Sequence, residues 1–104
     1  MIDEKHTLIL ALLLINKGEP LNNSYKLIHI LELKFHTVNS KKILDEIKEK
    51  QYAKYDLIKG VHYYTLTSAG KEFILKEKEA ALDYLNQQYP KEKEVLQSLF
   101  DSVS

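Results

Sequence analysis

The side chains able to do chemistry here are four histidines, seven tyrosines, fifteen lysines and fifteen carboxylates; cysteine, tryptophan and arginine are absent. His6, His29, His36 and His62 are scattered and form no two-histidine spacing that would hold a metal, and no thiolate can substitute for them. No metal and no cofactor is therefore expected. His29, inside an apolar stretch, reads as a partly buried structural side chain. There is no glycine-rich phosphate loop, no serine elbow and no carboxylate pair in an apolar frame, so catalysis is not expected either. Tyr52, Tyr55, Tyr63 and Tyr64 fall in strand-like stretches, where aromatic rings supply packing across a sheet rather than a ligand platform.

What remains is charge. Lysines and acids balance to a formal net charge of zero, but their distribution is uneven. Residues 1–71 carry 11 Lys against 8 acids, and residues 72–104 carry 4 Lys against 7 acids. A mildly basic first part and a mildly acidic tail suit a weak polyanion-facing surface followed by a solvated helical segment. The missing arginine removes the commonest bidentate reader of guanine.

The elements that must position these groups are legible from periodicity. With 104 residues, 44% hydrophobic and 29% charged, the chain has globular composition and the length of one domain. Its longest apolar run, Leu8 to Ile15, is eight residues, against about 20 for a membrane span. Met1-Ile2-Asp3-Glu4 lacks a basic leader, so a cytoplasmic protein away from membranes is expected. Asp3 can cap a first helix that Gly18 closes and Pro20 stops. An apolar run that covers every side of a helix should be buried on both faces. Asn22 or Asn23 can cap a second helix with Tyr25, Leu27, Ile28, Ile30, Leu31 and Leu33 as apolar positions. After a short break at Lys34-Phe35-His36, Thr37 is a cap candidate for a third helix with Ile43, Leu44 and Ile47 inward. Two helices so closely spaced have helix-turn-helix separation. Tyr52 to Ile58 and Val61 to Leu66 then read as strands of a hairpin turned at Lys59-Gly60. Thr67 can cap a long helix towards Tyr89, Pro90 interrupts it, and a short amphipathic piece carries Val95, Leu96, Leu99, Phe100 and Val103. The expected class is α+β, mainly α.

The order helix, helix, helix, hairpin, long helix looks like a winged helix-turn-helix with a three-helix core and a two-stranded wing. Tyr63-Tyr64-Thr65-Leu66-Thr67-Ser68-Ala69-Gly70 resembles the strand-and-cap signature of MarR-like and PadR-like regulators: aromatic, any residue, Leu-Thr, two residues, Gly. In it Leu66 enters the core, Thr67 caps the next helix and Gly70 permits close packing. Ile43 to Tyr52 resembles the end of a recognition helix and its entry to the wing, and Leu8 to Tyr25 the opening of PadR-like domains. Such domains usually carry Gly where Gln51 stands, basic residues where Asp45 and Glu46 stand, and Arg at the wing tip. The resemblance implies a winged-helix domain over 1–71 and a helical dimerisation segment over 72–104, within one compact unit. It implies double-stranded DNA as partner, with the start of helix 3 in the major groove. Asn39, Ser40, Lys41 and Lys42 would be the readers, and Tyr25, Lys26, Lys34, Lys59 and His62 would meet the backbone.

Helix 1 and the tail carry more apolar surface than a small three-helix core can cover. A homodimer is the expected solution, through Leu8, Leu12 and Ile15 with Phe73, Leu82, Leu85, Tyr89, Leu96, Leu99 and Phe100. The competing arrangement folds the tail onto its own helix 1. In function, the expected homodimeric regulator has two rivals. One is a winged helix used only for protein contact, which zero net charge, absent arginine and acidic Asp45 and Glu46 favour. The other is a regulator gated by a small-molecule effector between helix 1 and the tail.

Overall fold

The computed structural model describes residues 2–103. Helix α1 (Glu4–Lys17) starts where the Asp3 carboxylate accepts the His6 amide at 2.9 Å, and ends at Gly18, whose φ of 88° suits glycine. That cap bond and the His6 imidazole, 2.7 Å away, outweigh the upward push of partial burial and hold the Asp3 carboxyl below its usual range. Every residue from Thr7 to Ile15 is buried, so α1 is the central rod of the molecule.

Helix α2 (Ser24–Leu33) is capped by Asn23, which accepts the Lys26 amide at 2.9 Å, and it buries Leu27 and Leu31 against the rod. The connection to α3 (Ser40–Glu49) departs from the expected cap. Thr37 is buried, and its amide donates to the Leu31 carbonyl at 3.0 Å. The helix begins after Asn39 instead, with φ of 60° and no side-chain cap bond. His36, at φ 54°, shares that left-handed conformation, so two such residues turn the chain before α3 can start.

Strands β1 (Ala53–Ile58) and β2 (Val61–Leu66) pair antiparallel from Ala53 opposite Leu66 to Ile58 opposite Val61. Lys59 and Gly60 have φ of 50° and 81°, the doubly left-handed turn that matches strand twist. On its other side β2 meets the α1–α2 connection: Asn23 bridges Tyr63, and the Tyr64 amide donates to the Asn22 carbonyl at 2.8 Å. Thr67 joins sheet to helix. Its hydroxyl accepts the Gly70 amide at 3.1 Å, starting α4 (Ser68–Gln88), and donates to the Gln51 carbonyl at 2.7 Å. Gly70 is buried so close to the Tyr52 carbonyl that a Cβ there would overlap it. Leu66 is half-buried against the core.

Helix α4 stops at Tyr89 because Pro90 has no amide to continue it. One 3-10 turn, Pro90–Glu92, redirects the chain into α5 (Lys93–Asp101), which lies on α4 and α1 and buries Leu96, Leu99 and Phe100. A single apolar cluster thus runs from Ile2 to Val103, across both segments. This corrects the role assigned to the apolar residues of α1 and the tail. Leu8, Leu12, Ile15, Leu85, Leu96, Leu99 and Phe100 are each no more than 5% exposed in one chain, and Phe73, Leu82 and Tyr89 are half-buried against the same cluster. The turn at Pro90 brings the tail back over α1, so these side chains need no second subunit to cover them. The architecture is α+β and 66% helical, with five helices and one two-stranded antiparallel sheet among the described residues.

Candidate nucleic-acid interface

Helix α3 is the most amphipathic surface element beside the hairpin. Ile43, Leu44 and Ile47 point into the core, and Lys41, Lys42, Asp45 and Glu49 stand in solvent. The four expected readers do not share one environment. Asn39 and Lys41 are exposed, and Lys41 makes no ion pair among the described residues. Lys42 is held by Glu4 at the start of α1, Nζ to Oε1 2.8 Å, and this hydrogen bond raises its pKa above the ordinary lysine value. Ser40 is 2% exposed and its hydroxyl donates to the Glu32 carboxylate at 3.3 Å. It is not available to a base edge. The reason is phase, since Ser40 lies three residues before Ile43 and seven before Ile47, on the inward stripe.

The expected backbone contacts divide similarly. Tyr25, 69% exposed, and Lys26 stand free at the start of α2, and Lys59 stands free at the hairpin turn. Lys34 is tied to Glu92 of the tail at 3.3 Å. His62 is half-buried, its ring stacked on Tyr55 with centroids 4.9 Å apart, and its Nδ1 is buried without a hydrogen-bond partner. It belongs to the hairpin's own packing. His29, expected to be partly buried, is exposed, because α2 turns only the Leu27–Leu31 stripe inward.

Lys48, outward on α3 by its spacing, was not among the expected contacts. Its ammonium lies 4.5 Å from the centroid of the Tyr55 ring, a cation–π contact that joins α3 to the hairpin. Its spacing was the available signal, since Lys48 follows Lys41 by seven residues, two turns along the same face. Lys50 pairs with Glu46 at 2.9 Å, and that hydrogen bond raises its pKa. Along 40–50 the chain therefore sets Lys41, Lys42, Lys48 and Lys50 against Asp45, Glu46 and Glu49, a nearly balanced face.

Behind this surface, a cleft of about 370 Å³ opens between the ends of α1 and α2 and helix α5, walled by Leu14, Leu21, Ile30, Phe35, Val95 and Leu99. The tail closes over the α2–α3 turn beside it. The Tyr89 hydroxyl donates to the Phe35 carbonyl at 2.6 Å, and the two rings meet edge to face at 5.1 Å. Among the described residues no three His, Asp or Glu converge in a metal-holding group, and no helix is long and apolar enough to cross a membrane. No family model, curated protein or solved structure matches the chain.

Proposed function

We propose that the chain is a winged helix-turn-helix protein that binds double-stranded DNA, with α3 presented to the major groove and the β1–β2 hairpin acting as the wing, and that it regulates transcription by occupying an operator. The observation that carries this reading is the Lys48–Tyr55 contact. It joins α3, which carries Lys41 and Lys48, to the hairpin, which carries Lys59 at its turn. Lys41 is the reader, with Asn39 beside it. Lys26 and Lys59 serve as phosphate contacts, and Lys42 joins them when a phosphate displaces Glu4.

Anisotropy of a labelled AT-rich duplex at two salt concentrations tests the proposal. Binding should weaken as salt rises. Lys41→Ala should lower affinity, and Lys26→Ala with Lys59→Ala should weaken binding and reduce the salt slope by about 1 for each phosphate-binding lysine removed. Absence of binding at low salt overturns it. A second reading rests on a specific feature: Asp45 and Glu49 stand exposed on the same face as Lys41, which suits a protein partner carrying both charges. Capture of a protein that Lys41→Glu releases, with no duplex binding, would establish that reading in its place.

A further inference from the structure

The hairpin leaves one surface without a partner. Strand β2 is covered on both edges, by β1 and by the Asn23 bridge, whereas β1 pairs only with β2. Tyr55, Leu57 and Ile58 of β1 are 47%, 63% and 52% exposed, an apolar concentration matched by no other single element of the described residues. Ile58 and Val61 flank a two-residue turn and so form its closing hydrogen-bonded pair. The alternation of an antiparallel ladder then commits Asp56 and Lys54 to β2. The N–H and C=O of Tyr55 and Leu57 are turned to the open edge; those of Ala53 point the same way, but that end of the strand is buried.

We propose that this edge recognises a second copy of the same chain, β1 pairing antiparallel with β1 about a two-fold axis through Tyr55. Register selects that axis. Outward-facing residues must oppose outward-facing residues, so the axis must pass through a residue and not between two. An axis through Lys54 or Asp56 sets like charges directly opposite, which is destabilising. An axis through Ala53 or Leu57 shortens the ladder to its end. The axis through Tyr55 places Lys54 opposite the partner's Asp56 on one face, and symmetry repeats that pair. The same register sets Tyr55 against the partner's Tyr55, Leu57 against the partner's Ala53, and Ile58 against the partner's Tyr52. Tyr55 gains an exposed apolar neighbour, whereas Leu57 and Ile58 meet residues that one chain already packs, Ala53 in the core and Tyr52 on the Phe73 ring. Charged residues on an edge strand ordinarily block indiscriminate pairing; here their order, Lys-Tyr-Asp, admits its own reverse. The interface is a short strand edge and belongs to the weak, reversible size class. The pairing rests on the edge of β1 alone and does not depend on what α3 binds.

The test is sedimentation of the full chain over a concentration series, with circular dichroism confirming that each variant is folded. The wild type should show a reversible monomer–dimer equilibrium. Asp56→Lys and Lys54→Asp should each raise the dissociation constant at least about tenfold, since each sets like charges opposite. The exchange variant Lys54→Asp/Asp56→Lys should restore dimerisation. A wild type still monomeric at about 1 mM, the range of the weakest specific complexes, overturns the proposal. A dimer that survives Asp56→Lys places the interface elsewhere and also overturns it. Loss of the dimer in both single variants without recovery in the exchange variant overturns the register.

Discussion

At the scale of single residues, backbone conformation decides more than side-chain type does. Gly70 and Gln51 both lie at the junction of hairpin and α4 and make opposite demands. A Cβ at position 70 would meet the Tyr52 carbonyl and lie 2.8 Å from Leu66 Cδ1. Gly70→Ala should therefore lower stability by about 1–3 kcal/mol or more, as overpacking does. Gln51 holds φ of 58°, a conformation glycine adopts freely. Gln51→Gly should raise stability by up to about 1 kcal/mol, the strain relieved less the entropy glycine loses. Paired thermal melts check both signs. Stability also depends on pH through single phenols. Burial, then the neighbouring Tyr84, pushes the Tyr89 phenol above its ordinary value, and burial with Asp45 and Tyr55 does the same for Tyr64. Folded values above unfolded ones mean the contribution is fully present below the unfolded value of about 10. It is lost as pH rises through the folded values. Tyr89→Phe should flatten part of that alkaline decline and, by deleting its hydrogen bond to Phe35, cost about 1 kcal/mol at neutral pH. Denaturant titrations at pH 7 and above 10 measure both effects. Ser40 is the residue whose direction the sequence already held, in its spacing from Ile43 and Ile47. Lys48 is its counterpart on the outward side.

At the scale of elements, the order of helices and strands, the caps Asp3 and Thr67, a cap at Asn22 or Asn23 (Asn23 in the structure), and the hairpin turn were all legible from local chemistry. The start of α3 was not. His and Asn are among the few types that tolerate a left-handed backbone, but type alone does not say that both His36 and Asn39 adopt it, and the turn they make displaces the cap from Thr37. The cover of α1 was not legible either, because an apolar periodicity states which side must be buried and leaves open what buries it. Pro90 marked the break in the tail. The return of α5 over α1 is a tertiary choice made by packing, and Phe100, fully buried in that contact, measures it. Phe100→Ala should cost about 3–5 kcal/mol. Urea unfolding of the variant checks this; a loss well under 1 kcal/mol would place α5 outside the cooperative core.

At the scale of the whole molecule, the uneven charge of the two segments has an internal use. Lys5 pairs with Glu77 at 3.1 Å and Lys34 with Glu92 at 3.3 Å, each joining a cation of the first part to an acid of the tail. The sequence showed the asymmetry. That part of it is satisfied within the chain follows only from where the tail lies, and it leaves fewer lysines free for an external polyanion than the composition suggested. The clasp of the tail on the α2–α3 turn has one more consequence. With no tryptophan, the near-ultraviolet signal of this chain comes almost entirely from its seven tyrosines. The phenol of Tyr89 is bonded to a carbonyl 54 positions away, in the turn that sets the direction of α3. A movement of that turn that breaks the bond should therefore register in the near-ultraviolet spectrum as a change in one tyrosine of the tail, which the difference between wild type and Tyr89→Phe isolates.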